Sequence, residues 1–224
     1  MIEIYVVRME GRLTDEQYGI LYENLSETKK KKIQQYYFWE DAQRTLLGDA
    51  MIRKFVGEKL KVDCRELEFA INKYGKPYIN GNTGINFNIS HSGEIIVCSI
   101  GERENGIDVE KIKKFDIKIV ESFFQHEEFK ALFNLPKDKQ NESFFRLWTL
   151  KESYIKCVGK GLAMPLNSFG FKINNYSVEF CGPNKNKFKF EQFRTKDDYY
   201  ISVCTMNEKV NKFINYINID DLIV

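Results

Sequence analysis

NISHSGEIIVCSIGERENGIDVEKI, residues 88–112, is the stretch on which the fold turns. The apolar run IIVCSI reads as a strand, HSGE before it as a turn, and GIDVEKI as the extended start of a second half of the chain. Residues i and i+2 of an extended segment face the same side. Asp108 and Glu110 therefore point together, and Val109 between them points into a core. Gly106 just before them allows a close backbone approach or a special turn. Ser90 and His91 stand at the other end of the stretch, after the strand-like INFNI.

Upstream, ELEFAI and INFNIS also read as strands, with YGKP as a turn in which Pro77 fixes the backbone after Lys76. Residues 25–60, LSETKKKKIQQYYFWEDAQRTLLGDAMIRKFVGEKL, carry a helical period, with Ser26 as N-cap and a break near residues 36–40. IEIYVVRM, residues 2–9, is β-rich. Downstream, helical pattern runs from the N-cap candidate Asp116 to Phe133, and Pro136 punctuates it. A longer helix spans about Asp138 to Val158 and ends near Gly159 and Gly161. SFGFKI, YSVEF, KFKFEQF and YYISVCTM follow as strands. Each half thus reads strand, helix, antiparallel strands, which favours an α+β architecture over a doubly wound sheet. The halves are set at residues 1–105 and 106–224, and no close sequence repeat relates them.

Composition bounds the function. A length of 224 residues suits one large domain or two small ones, at about 100–200 residues per domain. A net charge of +2 gives no global attraction to nucleic acid, so any basic site must be local. Five scattered cysteines without a C-x-x-C speak against a disulfide framework and a structural zinc site. No apolar stretch approaches the roughly 18 residues of a membrane span, and Glu3 interrupts the N-terminal apolar run. The expectation is a soluble cytoplasmic protein.

Several residues have two readings. Asp108 and Glu110 repel each other unless neutralised, and oxygen-only ligation suits Mg²⁺ or Mn²⁺; the alternative is a solvated strand end. Trp148, Glu152 and Lys156 share one helical stripe at i, i+4, i+8. Glu152 and Lys156 are either a surface ion pair or, beside a metal, parts for phosphate chemistry. Lys29 to Lys32 are placed in the first turns of their helix, the end where the dipole disfavours cations. They either invite an anionic partner or form a solvated face. Arg44 and Lys76 add positive charge in the same half, and His91 is a structural residue or a ligand contact. Ser90 lacks the G-x-S-x-G frame of a hydrolase nucleophile, and no P-loop or G-x-G-x-x-G is present.

Taken in order, EDAQRTLLGD (40–49), GKP (75–77), FNISHS (87–92), GIDVE (106–110) and WTLKESYIKCVGKGL (148–162) closely resemble the Sfp-type 4′-phosphopantetheinyl transferases. The resemblance runs from the N-terminal strand to about Ser168; beyond it, similarity lies in length and strand pattern. It implies a monomeric, pseudo-twofold pair of α/β halves, each with helices on a mainly antiparallel sheet and coenzyme A bound between them. It implies Mg²⁺ at Asp108 and Glu110, with Glu152 joining the metal or serving as general base, and Lys156 on the pyrophosphate. Ser90 and His91 are implied at the 3′-phosphate, joined by Lys29, Lys32 and Arg44, with Lys76 near the adenine and 3′-phosphate. The implied reaction loads an apo acyl or peptidyl carrier protein of fatty acid, polyketide or nonribosomal peptide synthesis and releases adenosine 3′,5′-bisphosphate.

For that reaction Glu152 is the expected base, with Glu110 acting through water as the alternative. The segment after Glu110, with Lys113, Lys114, Ile117, Ile119, Phe123 and Phe124, is either a carrier-docking face or, for the two phenylalanines, core. Other readings are a nucleotide-using phosphotransferase, a non-enzymatic coenzyme A or carrier-binding module, and a structural adaptor. The second has no need of Asp108, Glu110 and Glu152 together.

Overall fold

The computed structural model describes residues 1–81, 83–174 and 177–223. In chain order its elements begin with β1 (Ile2–Arg8), α1 (Asp15–Glu23), α2 (Glu27–Ile33) and α3 (Trp39–Leu60). The hairpin β2 (Phe69–Ile71) and β3 (Pro77–Ile79) leads to β4 (Asn86–Ser92), β5 (Ile95–Gly101) and β6 (Asn105–Lys111). Then come α4 (Ile117–Phe123), α5 (His126–Phe133) and α6 (Lys137–Val158). The chain closes with β7 (Gly170–Ile173), β8 (Val178–Cys181), β9 (Phe188–Arg194), β10 (Tyr199–Met206) and β11 (Val210–Ile217). Tyr176, which opens the expected strand YSVEF, lies outside the described residues.

Period-2 alternation builds the centre. One sheet runs β11-β1-β5-β4 and another β6-β10-β9. On β1, Ile2, Ile4 and Val6 face one way and Val7 the other; on β5, Ile95 and Val97 oppose Ile96, Cys98 and Ile100. The first set meets Ile107 and Val109 of β6 and Tyr199, Ile201 and Val203 of β10 in a core shared by the two sheets. The second set packs under α3 with Leu46, Leu47 and Met51. The outer face of the other sheet is covered by α6, through an aromatic core that includes Phe144, Tyr154, Phe169 and Phe180. The molecule is thus helices, sheet, sheet, helices, an α+β arrangement. The two long helices match in length, 22 residues each, and each ends on a left-handed residue, Lys61 and Gly159.

The seam beside β4 and β6 is closed by side chains. Asn88 Oδ1 accepts from Ile107 N at 2.9 Å, and Asn105 Nδ2 donates to Asn86 O at 3.2 Å. Gly106 has its expected close approach: a Cβ there would stand 2.2 Å from Ser153 O and 2.3 Å from Cys157 N, so α6 lies directly on β6.

Three expectations need correction. α2 is only seven residues long, so Lys30, Lys31 and Lys32 occupy its last turn, where the dipole favours cations. The helix expected from Asp116 to Phe133 is broken at Phe124 and Gln125; Asp116 caps α4, and Gln125 starts α5 with its N–H on Glu128 Oε2 at 2.8 Å. VNKFINYI, which the pattern reading passes over, forms β11 and pairs parallel to β1 in the sheet of the first half. Its polar, weakly alternating sequence hides it, since an edge strand buries little.

Lys151 and Glu152 are neighbours on α6 that point to different environments. Lys151 is fully buried and bonded to Glu128 at 2.8 Å, to Phe169 O at 2.7 Å and to Leu166 O at 3.0 Å. Burial pushes its pKa down, against the pull of Glu128. This paired charge ties α5 and the segment before β7 to the helix whose next residue faces the cleft.

Candidate active site

Strand register delivers the acidic residues. β6 presents Ile107 and Val109 to the shared core, and Asp108 and Glu110 to the opposite side, toward α6 and β4. Asp108 Oδ1 accepts from Ser90 Oγ at 2.8 Å and from Lys156 Nζ at 2.7 Å. Lys156 also donates to Ser90 Oγ at 2.8 Å. Glu110 Oε2 accepts from Ser92 Oγ at 2.7 Å. The expected i, i+4 surface pair between Glu152 and Lys156 is not among the described ion pairs; Lys156 crosses to β6 instead.

The electrostatics are those of three carboxylates compensated only in part, by Lys156. Asp108 Oδ2 is buried without a hydrogen-bond partner among the described residues. Burial, then the charges of Asp108 and Glu110, push the Glu152 pKa up to about 7, with Lys156 opposing. Burial and Asp108 also raise Glu110, against its bond from Ser92. Among the described residues no three His, Cys, Asp or Glu side chains close into a ready metal cage. The orphaned oxygen and the raised acids nonetheless fit a divalent cation held by few protein oxygens, its remaining positions taken by substrate and water. Hard oxygen donors suit Mg²⁺ or Mn²⁺.

A cleft of about 270 Å³ opens beside these groups, lined by Gly75, Pro77, Asn88, Ile89, Glu152 and Lys156. Its walls come from both halves. Beyond Ser90, His91 is exposed; partial burial, then Arg44 and Lys156, hold its pKa below the ordinary value. Arg44 is fixed at the same turn, donating to Gly93 O at 2.9 Å and to Asp41 at 2.8 Å.

Of the remaining basic residues, Lys76 also lines this cleft, whereas Lys29 and Lys32 lie away from it. Lys32 sits over the Tyr36 ring at 5.9 Å. Lys29 pairs with buried Asp49, which also holds Arg53, and lines a separate cleft of about 660 Å³ that shares Pro77 with the first. Lys76 directs its ammonium to Glu104, Asn105 O and Cys157 O. Sequence reasoning missed Ser92 and Asn88. The signal was present, because Asn88, Ser90 and Ser92 share one face of a strand and alternate with the apolar Phe87 and Ile89.

Comparison with known proteins decides the family. The 4′-phosphopantetheinyl transferase superfamily matches residues 104–204, and the 4′-phosphopantetheinyl transferase N-terminal family matches residues 12–102. The 4′-phosphopantetheinyl transferase gsp of Aneurinibacillus migulanus is 36% identical across 99% of this chain and 94% of its own length. The chain belongs to the 4′-phosphopantetheinyl transferase family.

It is of the Sfp type: 4′-phosphopantetheinyl transferase Sfp of Bacillus subtilis (strain 168) is 32% identical over 99% of this chain and the whole of its own. A solved holo-(acyl-carrier-protein) synthase of Bacillus anthracis in complex with CoA (3′,5′-ADP) overlaps 47% of this chain and 96% of its own at 15% identity and a TM-score of 0.42, too partial a likeness to carry inference. Within this 4′-phosphopantetheinyl transferase, Asp108, Glu110, Glu152, Lys156 and Ser90 are brought together, with His91 and Arg44 adjoining.

Proposed function

We propose that the enzyme transfers the 4′-phosphopantetheine arm of coenzyme A to a serine hydroxyl of an apo acyl or peptidyl carrier protein. A new serine O–P bond forms at the β-phosphate, the pyrophosphate P–O bond breaks, and adenosine 3′,5′-bisphosphate leaves with the electron pair. The observation that carries this reading is the cleft between the halves with Glu152 and Lys156 on its wall, Asp108 bonded to Lys156, and the charges of Asp108 and Glu110 acting on Glu152.

Asp108 and Glu110 are assigned to hold Mg²⁺, with Glu152 as a third ligand or as the base. When bound, the cation neutralises pyrophosphate oxygens and the charge that develops on them. Lys156 supplies positive charge from the opposite side of Asp108, and Ser90 orients both. Glu152 takes the proton of the serine hydroxyl, a poor nucleophile at neutral pH; a pKa near the working pH suits a general base. His91 and Arg44 are assigned to the 3′-phosphate, with Lys29 and Lys32 arriving from α2 on side chains long enough to leave their present partners. Binding energy gained at that remote phosphate helps orient the reacting one.

The test is to incubate the protein with coenzyme A, Mg²⁺ and an apo carrier and weigh the carrier. Gain of one phosphopantetheinyl arm, abolished by EDTA and restored by Mg²⁺, is the expected result. A carrier of unchanged mass, with coenzyme A still bound to the protein, would instead support the binding-module reading.

The carrier is proposed to dock on the segment after β6. Lys113 and Lys114 are exposed there, and Ile117 is 47% exposed, a basic and apolar face suited to an acidic helical partner. Phe124 is core, and Phe123 packs against Trp148, so neither belongs to that face. Charge reversal at Lys113 and Lys114 is expected to raise the carrier KM roughly tenfold while leaving the coenzyme A KM unchanged. An unchanged carrier KM removes this face from the docking surface.

A further inference from the structure

We propose that Lys76 is a positioning residue, which clasps the last turn of α6 and thereby holds Lys156 and Glu152 at the cleft, and is not a ligand of the 3′-phosphate. The inference rests on the transfer reaction proposed above.

The turn that carries Lys76 is rigid. Asn72 N donates to Lys76 O at 2.9 Å and Gly75 N to Asn72 O at 3.0 Å. Asn72 Oδ1 accepts from Tyr74 N at 2.8 Å and Lys76 N at 3.0 Å. From this frame two side chains cross to the end of α6. Asn72 Nδ2 donates to Gly159 O at 3.0 Å, and Lys76 Nζ to Cys157 O at 3.3 Å. The last carbonyls of a helix lack partners within it and form the negative end of its dipole, so a cation is well placed there.

The same ammonium reaches Glu104 Oε2 at 2.7 Å and Asn105 O at 3.2 Å. Lys76 lines the cleft, but a lysine has three N–H donors and three acceptors among the described residues meet this one, two of them backbone carbonyls fixed in place, so a phosphate would have to displace the clasp. The side chain is only 14% exposed. Its stem lies on Gly159, whose φ is +70°; a Cβ at that position would stand 3.0 Å from Lys76 Cδ. Glycine at 159 therefore serves both the left-handed helix end and the clasp.

The clasp acts one residue from Lys156, whose ammonium meets Ser90 and Asp108. Glu152 lies one turn further back on the same helix. A misplacement of about 1 Å at such groups can cost up to about a hundredfold in rate, so a moderate loosening of α6 should appear in turnover.

The experiment is steady-state kinetics of Lys76→Met and Asn72→Ala with coenzyme A and, separately, with 3′-dephospho-coenzyme A, on the same apo carrier. For Lys76→Met the expected result is a kcat reduced roughly tenfold with both donors, with each donor KM within about twofold of the unsubstituted enzyme and the preference for coenzyme A retained. Asn72→Ala, which removes no charge, should lower kcat in the same direction with the preference again intact, and it carries the test if Lys76→Met does not fold. A risen coenzyme A KM together with a collapsed preference in Lys76→Met would make Lys76 a phosphate ligand and overturn the inference. Unchanged kcat in both variants overturns it equally. If the unsubstituted protein loads no carrier with either donor, the reading of the function falls instead, and this inference with it.

Discussion

Asp108→Asn is expected to reduce carrier loading on the order of a thousandfold. The substitution keeps an oxygen for Ser90 and Lys156 and nearly the same volume, so the fold should persist. It removes the charge whose second oxygen is buried without a partner among the described residues. A thermal-shift titration separates this effect from unfolding. Mg²⁺ added without coenzyme A should raise the melting temperature of the unsubstituted protein and leave that of Asp108→Asn nearly flat. Turnover close to that of the parent at millimolar Mg²⁺, or an equal Mg²⁺-induced shift in both proteins, would rule out Asp108 as a ligand. The variant also removes the charge that, after burial, contributes most to raising Glu152, so the acidic limb of any residual activity should move to lower pH.

Glu152→Gln is the second large effect. Loss of a general base costs about 10²–10⁴ in rate, and the drop should appear in kcat with coenzyme A affinity within about twofold. Comparable turnover in the variant would remove Glu152 from the mechanism. The same substitution has a stability signature of opposite sign. The folded pKa of Glu152 is about 7, above the roughly 4.3 of an unfolded glutamate. The folded state therefore binds the proton more tightly than the unfolded one. The contribution to stability is complete below the unfolded value and is lost as pH rises through 7. In metal-free buffer at pH 8 the Gln variant should melt higher than the parent, and the gap should close toward pH 4. Mg²⁺ should erase it at pH 8, because the cation offsets the repulsion that raises Glu152. A variant that melts lower than the parent at pH 8 would contradict the raised pKa.

Much of this site is legible in the residues as written. The D-V-E triplet on an extended segment places two carboxylates on one side and a valine in the core, and Val109 is fully buried between the two sheets. Helical spacing puts Glu152 and Lys156 on one stripe, and both line the cleft. Of the two roles open to Gly106, close approach or a special turn, it has the first, lying against α6 with no room for a methyl group. Those readings succeed because periods of 2 and 3.6 follow from local backbone stereochemistry.

The partners of the basic residues were a different matter. Lys29 turns to Asp49 and the face of Phe69, and Lys76 to the end of a helix 81 residues further on. Three of the four lysines, Lys30 to Lys32, fall in the last turn of their helix and not the first, because nothing in the local pattern shows that α2 stops after seven residues. The C-terminal strand went unseen because its worth depends on β1, the partner it meets at the far end of the chain.

By itself, the order of residues determined which atoms are acidic, basic or apolar, the strand and helix on which each rides, and the family through its motifs. Tertiary structure decided that Lys156 meets Ser90, 66 residues away, and Asp108 rather than its helical neighbour Glu152. It also decided that Ser92 holds Glu110 and that Lys76 reaches the end of α6. The physical reason is range: backbone dihedrals set direction within a few residues, whereas a buried charge takes whichever opposite charge or dipole the packed sheets and helices bring within hydrogen-bond reach.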